Sequence, residues 1–291
     1  SSIATKENMI TPRKAFDPAF GFNATSGFGN KSIKTIIVEP QLNYKRQFKH
    51  SDLEILIGST AQSTRQNSLY QVGLGYTSDD LLFSLKAASS ILTASESDIS
   101  YRYIGVFSRI NFNLSKRYLS TITIRRDGSS RYGISDRFAN FGSIGLGWIF
   151  SNETFLKNFK LLSFGKLKAS AGITGNDQIG DYKYLNLYAP GTYSYQGVTG
   201  FYPTQLFNPL YTWEKVKKLE VGLETGFFEN KMLLNLSFYR NITTNQLVEY
   251  ALPTITGFGS VLQNIPARIL NKGLEIELTG TIIKSKRFQW V

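Results

Sequence analysis

The chain has no cysteine, one histidine, two methionines and eight prolines in 291 residues. Without cysteine there is no disulfide framework, no thiolate nucleophile and no cysteine-based zinc or iron–sulfur site. The lone histidine, His50, excludes a clustered-histidine metal site and leaves one group for imidazole acid–base work. No run of about 18 apolar residues exists, which excludes a transmembrane helix. The start, Ser1-Ser2-Ile3-Ala4-Thr5-Lys6-Glu7-Asn8, lacks the apolar core of an export signal. The sequence therefore predicts either a protein that is not exported or a segment that starts inside a longer one.

What is present is apolar, aromatic and basic. Hydrophobic residues make up 42% and aromatic residues 14%, enough buried surface to offset chain entropy, so disorder is excluded. The length suits about one or two domains. Lysine and arginine total 33 against 21 acidic residues, a net charge of +12. These cations are spread, with only local groups such as Arg125-Arg126, Lys217-Lys218 and Lys284, Lys286, Arg287. Nucleic-acid binders concentrate such charge on one face, so no nucleic-acid partner is expected.

The dominant pattern has period two. Ile104, Val106, Ile110, Phe112 and Leu114 share one parity, with Arg109, Asn111 and Asn113 on the other. Leu219, Val221, Leu223 and Phe227 alternate with Lys218, Glu220, Gly222 and Glu224. Met232, Leu234, Leu236 and Phe238 oppose Asn235 and Ser237, and Leu274, Ile276 and Leu278 oppose Gly273, Glu275 and Glu277. Successive strand side chains point to opposite faces, so each segment has one apolar and one polar face. Short polar links at 45–52, 77–80, 114–117 and 228–231 predict antiparallel hairpins, because a parallel crossover needs a dozen residues or more.

Longer irregular stretches alternate with the short links. Residues 1–32 read as a polar loop, Arg126 to Gly133 as a compact loop with an Asp127-Gly128 turn, and 253–271 as a Gly/Pro-marked connection. The long loop 175–212 is rich in tyrosine and phenylalanine, and a loop of that length is often functional. About a dozen antiparallel strands result, many longer than the usual five or six residues. Two all-β architectures fit: a bilayer-spanning barrel with alternating faces and aromatic girdles, and a soluble sandwich such as a carbohydrate-binding module.

The residues give little purchase for catalysis. His50 sits in a polar link and reads as a solvated turn residue. Glu220 with Glu224, and Glu275 with Glu277, share strand faces as a glycosidase pair would, yet they also suit a wet polar wall. Gly142-Ser143-Ile144-Gly145-Leu146-Gly147 mimics a phosphate loop but leads into a strand rather than a helix. No enzyme activity, cofactor or metal site is expected. Aromatic faces stack on sugar rings and phenols hydrogen-bond, so Tyr193, Tyr195, Phe201 and Tyr202 of the long loop are the candidate substrate contacts.

A series of motifs then runs in order: Arg125-Arg126-Asp127-Gly128-Ser129-Ser130-Arg131-Tyr132-Gly133, Phe141 to Trp148, Ser151-Asn152-Glu153-Thr154-Phe155, and Lys166 to Asn176. Asn208-Pro209, Trp213-Glu214, Glu220-Val221-Gly222-Leu223-Glu224, Asn264-Ile265 and Asn271 to Ile276 follow. Their order and spacing over 101–291 resemble the SusC/RagA-type TonB-dependent outer-membrane transporters of Bacteroidetes. The resemblance implies an antiparallel transmembrane β-barrel segment, part of a larger barrel of about 22 strands. It implies a polar loop or extracellular segment at 1–32 and partial barrel at 33–291, with loop 175–212. It also implies nutrient uptake across the outer membrane, of glycans or peptides. The implied partners are a SusD-like lipoprotein, the TonB complex acting through a plug and TonB box, and outer-membrane lipid. Neither plug nor TonB box is visible, and Phe288-Gln289-Trp290-Val291 reads as a strand cut while under way.

Overall fold

A computed structural model describes residues 1–15, 23–156, 159, 161–208, 211–280, 283–284 and 289–290. The period-two segments become strands, and eleven of them join one antiparallel sheet, as the alternation predicts. The chain divides into two units, Ser1–Val38 with Ala61–Tyr103, and Glu39–Thr60 with Ile104–Val291. Two long strands, β4 (Ser51–Leu74) and β5 (Ser90–Leu114), contribute to both.

In the first unit, β1 (Ser2–Thr11) pairs with β2 (Thr25–Val38) from Ser2↔Lys34 to Thr11↔Thr25. β2 pairs in turn with β4 from Thr25↔Leu74 to Val38↔Ala61. Strands thus replace much of the polar loop expected over 1–32. The period was hidden because β1 is polar on both faces and almost wholly exposed. A small core of Ala24, Tyr76 and Leu82 closes the end of these strands, packed against Ile10, Ala87 and Ala88. Ser26 donates its hydroxyl to the Leu82 carbonyl at 2.6 Å. Leu82 belongs to a loop held by short 3-10 turns at 79–81 and 85–87, so the reversal runs well past the short link expected at 77–80.

In the second unit, β3 (Gln41–Gln47) pairs with the start of β4, and β5 continues into β6 (Tyr118–Ser129), β7 (Phe138–Trp148) and β8 (Leu162–Asn176). The order then runs to β11 (Glu214–Phe227), β12 (Met232–Ala251) and β13 (Ser260–Gly280). β9 (Leu187–Tyr195) and β10 (Val198–Gln205) form a separate hairpin, so loop 175–212 carries structure of its own. β14 (Ile283–Lys284) and β15 (Gln289–Trp290) form another two-stranded pair, while Phe288 and Val291 of the presumed cut strand lie outside the described residues.

Turns at one end are short. Ser115 and Lys116 adopt φ of 53° and 54°, and Phe228, Glu229 and Asn230 adopt 53°, 58° and 61°. These left-handed residues reverse the chain within the few positions available. In the second unit the opposite end carries the loops 130–137, 177–213 and 252–259. The Asp127-Gly128 turn expected there is instead strand: Gly128 pairs with Phe138. Its glycine serves close approach, because a Cβ would meet the Phe138 ring at 2.5 Å.

Register aligns the apolar residues into rows. One runs Tyr118, Trp148, Leu167, Leu223, Leu236, Ile276, and the next runs Ser120, Leu146, Ala169, Val221, Phe238, Leu274. Leu274, Ile276 and Leu278 are each 65% exposed. Water does not favour so continuous an apolar belt, and hydrocarbon does.

Candidate functional site

The face opposite the belt is polar and its charges are mutually engaged. Lys168 on β8 places Nζ 3.0 Å from Glu224 and 3.7 Å from Glu220 on β11, and Lys166 reaches Glu224 at 3.3 Å. Gly145 and Gly147 leave room above them, and a recess of about 220 Å³ is lined by Leu119, Thr121, Gly147, Lys168, Ser170 and Glu220. A second recess of about 370 Å³ includes Lys45, Asp52, Glu54, Asn111, Asn113 and Thr121. Glu54 accepts from Asn43 at 2.9 Å and pairs with Lys45 at 2.9 Å. Large side chains lie across glycines on this face: a Cβ on Gly58 would meet Phe107, on Gly222 Lys168, and on Gly273 Tyr239, at 2.5–2.7 Å.

This face is a polar wall. Glu224 pairs with both lysines and Glu220 with Lys168 alone, and Glu277 accepts from Asn235 at 3.1 Å. His50 lies exposed in the turn between β3 and β4, and its carbonyl accepts from Ser115 N–H at 2.6 Å.

At the long-loop end the separate sequence motifs converge. Tyr132 is fully buried and stacks on Trp213, with centroids 4.6 Å apart, while Tyr211 tilts against it at 5.6 Å. Phe141 meets Trp213 edge-on at 5.5 Å. Tyr132 donates to the Asn176 carbonyl at 2.8 Å, and the Trp213 indole donates to the Asp136 carbonyl at 2.9 Å. Asn208 donates to the Leu262 carbonyl at 2.7 Å. Asn264 accepts from Thr212 N–H and donates to the Thr212 and Asn245 carbonyls at 2.8–2.9 Å. Arg131 pairs with Asp181 at 3.0 Å and donates to the Asp177 carbonyl at 2.8 Å. Burial pushes the Tyr132 and Tyr211 phenols well above their ordinary range, so both stay neutral. These residues form a clamp at the base of loop 177–208.

Within that loop, Gln205 donates to the Tyr182, Lys183 and Leu185 carbonyls at 2.9–3.2 Å, and Phe207 N–H donates to Asn186 Oδ1 at 2.6 Å. The hairpin above reverses through Gln196 and Gly197, with φ of 49° and 78°. Tyr195, Phe201 and Tyr202 are exposed on it, whereas the Tyr193 side chain lies outside the described residues. Phe201 faces Pro190 and Tyr202 faces Ala189 across the ladder. Neighbouring strand residues point to opposite faces, so the hairpin gathers these aromatics on one ribbon without making one platform.

Sequence reasoning did not find the clamp as a unit. Its signal was the shared order of Tyr132, Asn176, Asn208, Trp213 and Asn264 within the motifs. The short-turn rim has its own anchor: Glu153 accepts from Tyr118 Oη at 2.8 Å, Trp148 Nε1 at 3.1 Å and Arg117 at 3.0 Å. The phenol hydrogen bond, then the indole one, holds its carboxyl below the ordinary value.

An apolar belt, a polar opposite face, short turns at one rim and anchored loops at the other define a segment of an outer-membrane β-barrel. The family model described as "TonB dependent receptor-like, beta-barrel" matches residues 10–291, and the chain belongs to that family. It is 36% identical over 185 residues to TonB-dependent receptor P39 of Formosa agariphila, covering 64% of this chain and 18% of that protein. It is 31% identical over 295 aligned residues to TonB-dependent receptor SusC of Bacteroides thetaiotaomicron, covering 98% of this chain and 28% of that protein. A solved structure of the RagAB peptide transporter superposes with a TM-score of 0.87 at 26% identity, over 98% of this chain and 31% of that one. The chain thus spans under a third of the length of these relatives. The SusC/RagA-type resemblance, the outer-membrane location and the non-enzymatic class are as the sequence implied. The soluble carbohydrate-binding module is set aside by the same matches.

Proposed function

We propose that this chain supplies wall and mouth to a TonB-coupled importer of glycans or peptides. The observation that carries the reading is a polar, ion-paired wall together with a loop clamped at its base. The wall keeps a passage wet, and the clamp holds the β9–β10 hairpin in place while leaving its aromatics exposed. The similarity to SusC and to the RagAB peptide transporter supports energy-coupled import. In this reading a SusD-like lipoprotein hands substrate to the mouth, and the TonB complex opens the path through a plug of the family's kind. Tyr193, Tyr195, Phe201 and Tyr202 contact substrate. Aromatic rings suit either cargo, stacking on sugars and packing against peptide side chains.

The test replaces Tyr195, Phe201 and Tyr202 together by serine in the intact receptor. Substrate capture by cells is expected to fall by about tenfold, the scale of a few lost ring contacts, at unchanged surface level. Uptake equal to the parent protein would remove these residues from the substrate path. Competition by an unlabelled oligosaccharide or an unlabelled peptide separates the two cargoes.

A further inference from the structure

The outward, belt-bearing face of the second unit is asymmetric in charge. On β6, β7, β8, β11, β12 and β13 its positions within 118–128, 138–148, 167–175, 215–225, 232–244 and 268–280 carry no carboxylate. They do carry cations, all toward the long-loop end. Arg126 stands one outward position beyond Ile124, Lys217 beyond Leu219, Arg240 beyond Phe238 and Lys272 beyond Leu274, with Lys215 and Arg268 further out on β11 and β13. The inward face carries both signs, and there Lys166 and Lys168 pair with Glu220 and Glu224.

This line of cations follows the edge of the belt. Arg126 lies one step above the row of Ile124, Gly142, Ile173, Lys217, Ile242 and Leu270. Arg240 and Lys272 lie one step below it, in the row of Ile122, Ile144, Ala171 and Leu219. Lys215 and Arg268 lie one step above that row as Arg126 does, so the cations occupy three successive outward rows at the edge of the belt. Ile242 and Leu270 stand among the cations, giving a layer that is both aliphatic and basic.

Three of the cations crowd one place. Arg240 and Lys272 are direct cross-strand partners, and Lys217 sits diagonal to Arg240, whose other partner is Leu219. Like charges directly opposite on a sheet repel. Among the described residues none of the three has a carboxylate within ion-pair distance. An anion seated between them relieves the repulsion, and the anions at the edge of an apolar belt are lipid headgroups.

We propose that Lys217, Arg240 and Lys272 bind the phosphorylated headgroup of an outer-leaflet lipid, with Ile242 and Leu270 against its acyl or sugar portion. The site is independent of the cargo carried. The intact receptor is reconstituted in phosphatidylcholine nanodiscs doped with lipid A bearing two, one or no phosphates, and bound lipid is counted by native mass spectrometry. The diphosphorylated form is expected to be retained and the dephosphorylated form lost. The K217Q/R240Q/K272Q variant is expected to bind about a hundredfold more weakly, at about fivefold per cation. Lys218→Gln, next along β11 but on the inward face, is expected to bind as the parent does. Heat-modifiable gel mobility confirms that each variant is folded. Three results would overturn the site: retention by the triple variant, equal binding of dephosphorylated lipid, or full displacement by inorganic phosphate at matched concentration.

Discussion

Replacing Trp213 by alanine tests whether the clamp is a local device. The indole is 3% exposed, stacks on Tyr132 at 4.6 Å, meets Phe141 at 5.5 Å and donates to the Asp136 carbonyl at 2.9 Å. Truncating a buried aromatic of this kind costs about 3–5 kcal/mol. The cost falls on the loops that meet there, because the strands keep their ladders. Local opening of loop 177–208 should therefore become about a hundredfold to a few thousandfold more frequent. Tyr132→Phe keeps the ring and loses only the bond to Asn176, about 1 kcal/mol, or about fivefold. Hydrogen exchange in the detergent-solubilised receptor reads both, since local opening is reported amide by amide. Amides of Ile179, Leu185 and the β9–β10 ladder should speed up, while β11–β12 ladder amides stay protected. Unchanged loop exchange in the tryptophan variant, or acceleration spread equally over the strands, would refute the reasoning.

Two further outcomes are expected. Glu153 is held below its ordinary value of 4.5, so its contribution to the short-turn rim is full above about pH 4.5 and fades as pH falls through the lowered value. Trp148 fluorescence should change over that acidic range and stay flat in Glu153→Gln, and a parent protein without any transition would count against the rim anchor. Gly172→Val places a Cβ 2.7 Å from that of Ser143 and 3.0 Å from the Gly142 carbonyl, atoms held in the sheet, and should destabilise by about 1–3 kcal/mol in a urea midpoint. Gly200→Val, with nothing within 4 Å, should shift it by under about 0.5 kcal/mol.

Strands with one apolar and one polar face were legible, because burial in lipid imposes the alternation directly on the residue order. The second half of β5, β11, β12 and the second half of β13 could be read that way, and the hairpin turns at 115–117 and 228–231 with them. β1 escaped because only its end, at Ile10, meets a core, so the rest of its sequence has no reason to alternate. The Asp127-Gly128 pair misled because glycine marks two different needs, a tight reversal and a close neighbour, and only the position of Phe138 tells them apart. The clamp was legible as a set of motifs but not as a place. Its hydrogen bonds join Tyr132 to Asn176 and Trp213 to Asp136 across 44 and 77 residues, distances over which local pattern carries no information. The hairpin aromatics were found by composition, which cannot say that Phe201 and Tyr202 face opposite ways.

The side chains laid over glycine set how far the polar wall stands out from its strands. Phe107, Lys168 and Tyr239 run along the surface because Gly58, Gly222 and Gly273 leave them a bed. A methyl group in any of those beds would tip the occupant away from the wall. The depth of the polar wall is thus written in residues with no side chain at all, and thickening it requires adding carbon while leaving every charged group in place.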